Sequence, residues 1–128
     1  MLEAFIQELA LEMEVGETLP MEVPGVYVLP LDEDMKVLIT AIPEGYFLSC
    51  VIAPFPAMNR EKFVTQAMLG NLFGQGTHGG VLGLSENGNL VKLTKVVFST
   101  VDYRGFRDVV EDFINTIDYW RAEALAQK

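Results

Sequence analysis

The sequence predicts an α+β fold in the order α-β-β-β-α-β-β-α, a twisted antiparallel sheet packed by helices. Three observations carry this reading. Two runs rich in β-branched and aromatic residues, Met35 to Ile42 and Tyr46 to Ala53, flank Pro43-Glu44-Gly45, which supplies turn chemistry between paired strands. A second pair, Val81 to Leu84 and Leu90 to Phe98, brackets Glu86-Asn87-Gly88-Asn89, and Asn-Gly at a turn centre is a strong hairpin signal. After Asp102, which suits a helix N-cap, Phe106, Val110, Phe113, Ile117, Trp120 and Ala124 recur at alternating spacings of four and three, the stripe of a helix packed across a sheet.

The remaining elements follow in order. Leu2, Phe5, Ile6, Leu9 and Met13 fall on one face of a short first helix whose other face holds Glu3, Glu8, Glu12 and Glu14. That helix should stop near Gly16, since Pro20 and Pro24 permit only an extended approach to the next element. Val26 to Leu29 reads as a strand, and Pro30 marks it as an edge or irregular one. Asp32-Glu33-Asp34 is a solvated turn; it lacks the Gly and the terminal Glu that a calcium loop requires. Pro54 and Pro56 end the third strand, and Asn59 is a candidate N-cap for a second helix from Glu61 to Phe73. There Phe63, Val64, Ala67, Met68 and Leu72 cover about half the circumference, and Leu69 and Phe73 lie opposite, so one side should pack on the sheet and the other on a second subunit. In the last strand Leu90, Lys92, Thr94 and Val96 point one way and Val91, Leu93, Lys95 and Val97 the other, so neither sheet face is purely polar and part of it is available to a partner.

A chain of 128 residues fits one domain, residues 1–128, with one core. Half its residues are hydrophobic before its 11 glycines are counted, an apolar share above the usual ~45–50% that points to surface buried against another chain. Proline, glycine or charge interrupts each apolar run, so no segment should insert in a membrane, and no signal-peptide pattern opens the chain. Residues 1 to 35 hold nine acids and no Lys or Arg, which accounts for the net charge of -9 because the nine acids beyond balance the nine bases. Such an N-terminal third repels nucleic acid and anionic lipid. It would attract a basic polypeptide, or serve only as a solvated face.

Gly74, Gly76 and Gly79 match G-x-G-x-x-G, yet helical spacing precedes them and strand residues begin at Val81. A dinucleotide site needs the reverse order, with a helix N-terminus after the glycines to meet the pyrophosphate. The structural reading is that Gly74 ends the helix in a left-handed conformation and its neighbours permit a sharp turn into the sheet. One Cys (Cys50) and one His (His78) cannot form an intrachain disulfide or a four-ligand zinc site. Cys50 lies in an apolar run as a core residue would, and His78, among glycines, reads as a mobile loop residue ahead of a ligand contact. No catalytic motif occurs; acid pairs such as Glu111-Asp112 lie on the polar side of the last helix. Neither an enzyme nor a cofactor is expected.

The element order resembles that of the class I type III secretion chaperones, the Tir chaperone family, and three segments add to the likeness. These are Met68-Leu69-Gly70-Asn71-Leu72-Phe73-Gly74, the run Gly80 to Leu84 with its Asn87-Gly88 hairpin, and the late Phe113 with Trp120. The resemblance implies a bacterial cytoplasmic homodimer built around the second helix and following strand, through Leu69, Leu72, Phe73, Val81 and Leu84. It also implies a partner, the N-terminal region of a secreted effector, bound in non-globular form. The first helix and neighbouring strands, through Leu2, Phe5, Ile6, Leu9, Val26 and Val28, would receive that segment. Two other classes remain open: a regulatory adaptor that binds a folded partner, and a small nucleotide-dependent enzyme, which would need the glycine bend to hold phosphate.

Overall fold

The computed structural model describes residues 2–14, 16, 19–32, 34–98 and 102–127, except the side chain of Phe73. Its elements are α1 (Leu2–Glu12), β1 (Met21–Val23), β2 (Val26–Asp32), β3 (Met35–Ile42), β4 (Gly45–Pro54), α2 (Arg60–Asn71), β5 (Val81–Leu84), β6 (Leu90–Phe98) and α3 (Tyr103–Leu125), with a 3-10 turn at Leu72–Gly74. The six strands form one sheet in the order β1-β2-β3-β4-β6-β5, and all five pairings are antiparallel. The predicted order of elements stands, with β1 as an addition.

Two prolines explain why β1 looks like plain extended chain in the sequence. Pro20 and Pro24 bracket three residues, which pair with β2 only at Met21–Tyr27 and Val23–Val26. Val28 N–H donates to Pro20 O (2.8 Å), so the alternation of β2 turns the nitrogen of Pro30 to the same side, past the end of β1, where its missing N–H costs no ladder bond. Pro30 therefore sits inside β2, which runs on to Asp32; Glu17 and Glu33 lie outside the described residues.

Cross-strand pairs define two unlike faces. Leu29–Val37, Ile39–Leu48 and Cys50–Leu93 share one face and are almost wholly buried. The helices pack here. Phe106 of α3 meets Tyr46 edge-on (5.1 Å) and stacks on Phe5 of α1 (5.4 Å). All six apolar positions expected of α3 are buried, and Asp102 caps it by accepting from Gly105 N–H at 2.9 Å. Arg121 ties the far end of α3 to the sheet, donating to Ile52 O (2.7 Å) and meeting Asp34 (3.3 Å).

The second helix departs from expectation in two ways. Asn59 precedes it, but its φ of 57° is left-handed and its side chain makes no capping bond, whereas Arg60 Nε donates back to Pro56 O at 2.7 Å. A residue in that conformation cannot turn its side chain onto the first free N–H groups as an extended N-cap does. The expected sheet-packing side is also narrower. Phe63 and Gly70 are buried, whereas Val64, Met68 and Leu72 are exposed with Leu69, because α2 leans on the short edge strand β5 and on Trp120 and does not cross the sheet. Contact with Trp120 demands glycine: a Cβ on Gly70 would lie 2.5 Å from the indole.

Candidate protein-binding surfaces

The sheet face away from the helices is left uncovered. Register places Val26 and Val28 of β2 on it, paired with Thr40 and Leu38 of β3. Thr40 pairs with Phe47 of β4, and Phe47 with Val96 of β6; Val51 and Phe98 extend the surface to its ends. Phe98 is 68% exposed and Val96 44%. Lys36 and Lys92 punctuate it, and Lys36 pairs with Glu22 at 3.7 Å. Strand alternation creates this face, since helices on one side leave every second residue without a neighbour.

The first helix faces the other way. Ile6 and Leu9 are buried in the core, and Leu2 and Phe5 pack against it half-buried. The residues expected to meet a client thus divide between two sides of the sheet: Val26 and Val28 on the open face, and the α1 residues beneath the helix layer. Glu12 fastens the end of α1 to α3, accepting from Tyr103 Oη (2.5 Å) and Arg107 Nη1 (3.3 Å). The Tyr103 bond and then the Arg107 charge hold the Glu12 carboxyl below its ordinary range. Burial and the same bond push the Tyr103 hydroxyl up.

Around α2 and β5 lies a second apolar surface. Leu69 is 65% exposed, and Leu72, Val81 and Leu84 are each about half exposed. They straddle the sheet edge: Val81 pairs with Thr94 on the open face, whereas Leu84 borders a 150 Å³ recess with Val64 and Met68. The Phe73 side chain lies outside the described residues.

At two of its outward positions the backbone of that edge is already bonded. Asn71 holds Leu82 at both ends, accepting from its N–H (2.8 Å) and donating to its C=O (3.0 Å), as a neighbouring strand would. One outward position earlier, Thr77 does the same for Gly80: its C=O accepts from Gly80 N–H (3.0 Å) and its buried hydroxyl donates to Gly80 O (2.6 Å).

The glycine bend joins α2 to this edge. Gly74 has φ 69°, as expected of a left-handed end to the helical segment, and its C=O accepts from Gly79 N–H. Gly76 passes so close to α2 that a Cβ would lie 2.8 Å from Gly70 Cα, and its C=O accepts from Trp120 Nε1 at 2.9 Å. A strand follows the bend, so no helix N-terminus meets it. Between bend and α3 runs a groove of about 640 Å³ whose walls include Leu69, Tyr119 and Trp120. Thr116 donates its hydroxyl proton to Asp112 O (2.7 Å), so its oxygen accepts from His78 Nδ1 (2.7 Å). His78 is thereby anchored, not loose in its loop, while Lys95 Nζ holds its carbonyl at 2.6 Å.

Burial pushes the Cys50 thiol up to about 11, the condition of a core residue and not of a nucleophile. Among the described residues no cluster of three or more His, Cys, Asp or Glu is placed to hold a metal ion, and no helix is long and apolar enough to cross a membrane.

The family model described as Tir chaperone protein (CesT) matches residues 4–121 of this chain. The chain belongs to the Tir chaperone (CesT) family. It is 35% identical over 125 residues to the Chlamydia pneumoniae protein CPj0713/CpB0740, covering 96% of this chain and 95% of that one. Its fold is that of the ExsC-ExsE complex structure (TM-score 0.76, 15% identity, 96% of this chain and 92% of that one) and of the HopA1-SchA chaperone-effector complex (0.71, 14%, 94% and 93%). The Yersinia pestis type III secretion chaperone SycH, solved with a fragment of YscM2, is similar over 94% of this chain and 99% of its own (0.71, 11%). In this Tir chaperone family member, sequence reading missed two kinds of residue on the candidate surfaces. Leu38, Phe47 and Phe98 of the open face were visible only as strand alternation, and Asn71 as an ordinary polar residue at a helix end.

Proposed function

We propose that this protein is a type III secretion chaperone, not an enzyme, that binds the N-terminal region of a secreted effector in extended form and keeps it soluble. Family membership supports the class, and the open sheet face is the observation that carries the mode of binding. An extended segment can lay alternate side chains onto apolar surface held flat by the strands beneath, whereas a deep pocket would enclose a small ligand instead. Val26 and Val28 contact the client directly in this reading. Leu2 and Phe5 offer their half-exposed sides, and Ile6 and Leu9 act through the core by fixing α1. Surplus acid in the N-terminal third steers a basic client toward the protein.

The working unit is a homodimer formed across Leu69, Leu72, Phe73, Val81 and Leu84. Burial of the exposed α2 and β5 side chains against a second copy accounts for the apolar surplus.

Isolation of the protein from its native cell, with mass spectrometry of what accompanies it, identifies the client. Hydrogen exchange on the complex should then show protection confined to a client segment near its N-terminus that has no fold of its own when free. A client bound only through a folded domain would replace this reading with that of a regulatory adaptor, and saturable ATP or NAD binding lost on Gly76→Val would restore the enzyme.

A further inference from the structure

The groove between the glycine bend and α3 presents polar side chains and aromatic surface, and among the described residues no Lys or Arg lines it. Glu123 is the one formally charged residue on its walls among those described. Gln66 also lines it, and the side-chain oxygen of Gln66 is buried with no hydrogen-bond partner among the described residues. His78 is held to Thr116 through Nδ1, so its ring stands fixed on the same walls. Tyr119 stands half-exposed at the rim, edge-on to Trp120 at 5.2 Å. An orphaned buried acceptor is costly to keep, and a donor supplied from outside would relieve it.

We propose that this groove takes an arginine side chain from the client's extended segment, with Glu123 as counter-charge; the proposal rests on the chaperone reading above and narrows it. Guanidinium supplies five N–H donors in one plane and no acceptor, which suits the Glu123 carboxylate and the orphaned Gln66 oxygen together. Its flat face stacks on an aromatic ring, as lysine's compact ammonium cannot. At about 640 Å³ the groove exceeds one side chain, so apolar residues flanking the arginine settle on Tyr119 and Trp120, beside the Leu69 side that the dimer covers. A second copy is the poorer occupant. Of the chain's arginines, Arg60, Arg107 and Arg121 are engaged with Pro56, Glu12 and Ile52, which leaves Arg104 alone to offer.

Trp120 is the only tryptophan and forms part of the groove, so its fluorescence reports occupancy directly. The intact protein is titrated with the peptide acetyl-Ala-Leu-Arg-Leu-Ala-amide and with its citrulline counterpart, which keeps the shape and loses the charge. Saturable change with the arginine peptide is expected, with binding about tenfold weaker for citrulline, and Glu123→Gln should remove that difference. Equal titration by both peptides, or none by either, overturns the proposal. So does peptide binding that weakens as the protein is concentrated, which would place a second copy in the groove in competition with the peptide. A full-length client held by Glu123→Gln at wild-type affinity overturns the arginine site and leaves the chaperone reading standing, whereas that reading fails only if native isolation yields no client.

Discussion

Tyr46 sets the clearest test at the level of single residues. Its ring is 99% hidden against Phe106, yet its hydroxyl has no hydrogen-bond partner among the described residues, and burial pushes its pKa up to about 12. Tyr46→Phe removes the orphaned donor and keeps the ring, so the variant should be more stable by about 1 kcal/mol in urea denaturation, with an unchanged slope. Asn71 and Gly70 show the limit of reading single letters. Both occur in a segment that resembles the family, but their tasks arise from distant partners, Leu82 and Trp120, that no local pattern announces.

Elements with strong periodicity were legible in the sequence, and those held by tertiary contact were less so. The stripe of α3 and both hairpins followed the sequence because turn chemistry and burial favour the same answer. The apolar residues of α2 suggested a broad sheet-packing face, but packing on a narrow strand edge decided which of them are covered. For α1 the apolar face was legible, but not the latch that Glu12 makes with α3. Because Glu12 titrates below its unfolded value, it contributes stability that is present above the unfolded pKa and lost as pH falls through the lower folded one. Hydrogen exchange of α1 should therefore quicken relative to the sheet in that acid range, and Glu12→Gln should show the faster exchange already at neutral pH.

For the whole molecule, the open sheet face and the α2 and β5 surface compete for explanation, and association is what separates them. Leu69→Asp would place an unpaired charge in the proposed dimer contact, at a cost of several kcal/mol if it is buried there. Light scattering across a wide concentration range should show the native protein near twice 14.2 kDa and the variant near that single mass. A client segment that binds the open face should still be bound by the monomer, though with lower avidity. The fold class, the element order and the surplus of apolar surface were readable from the letters. The division of the expected client residues between the two sides of the sheet was not, because it depends on which face the helices choose.

The two side chains that occupy the rim of β5 determine how far any β-pairing can spread. A polymer of strands grows only if each unit offers two reactive ends, one to accept the previous unit and one to seed the next. Asn71 and Thr77 retire the outward groups of Leu82 and Gly80 at one of those ends. A chaperone of the proposed kind that took a client strand at the opposite edge would pass little free ladder on, as a chain terminator does in polymer synthesis, and would handle sticky segments without being drawn into a fibril.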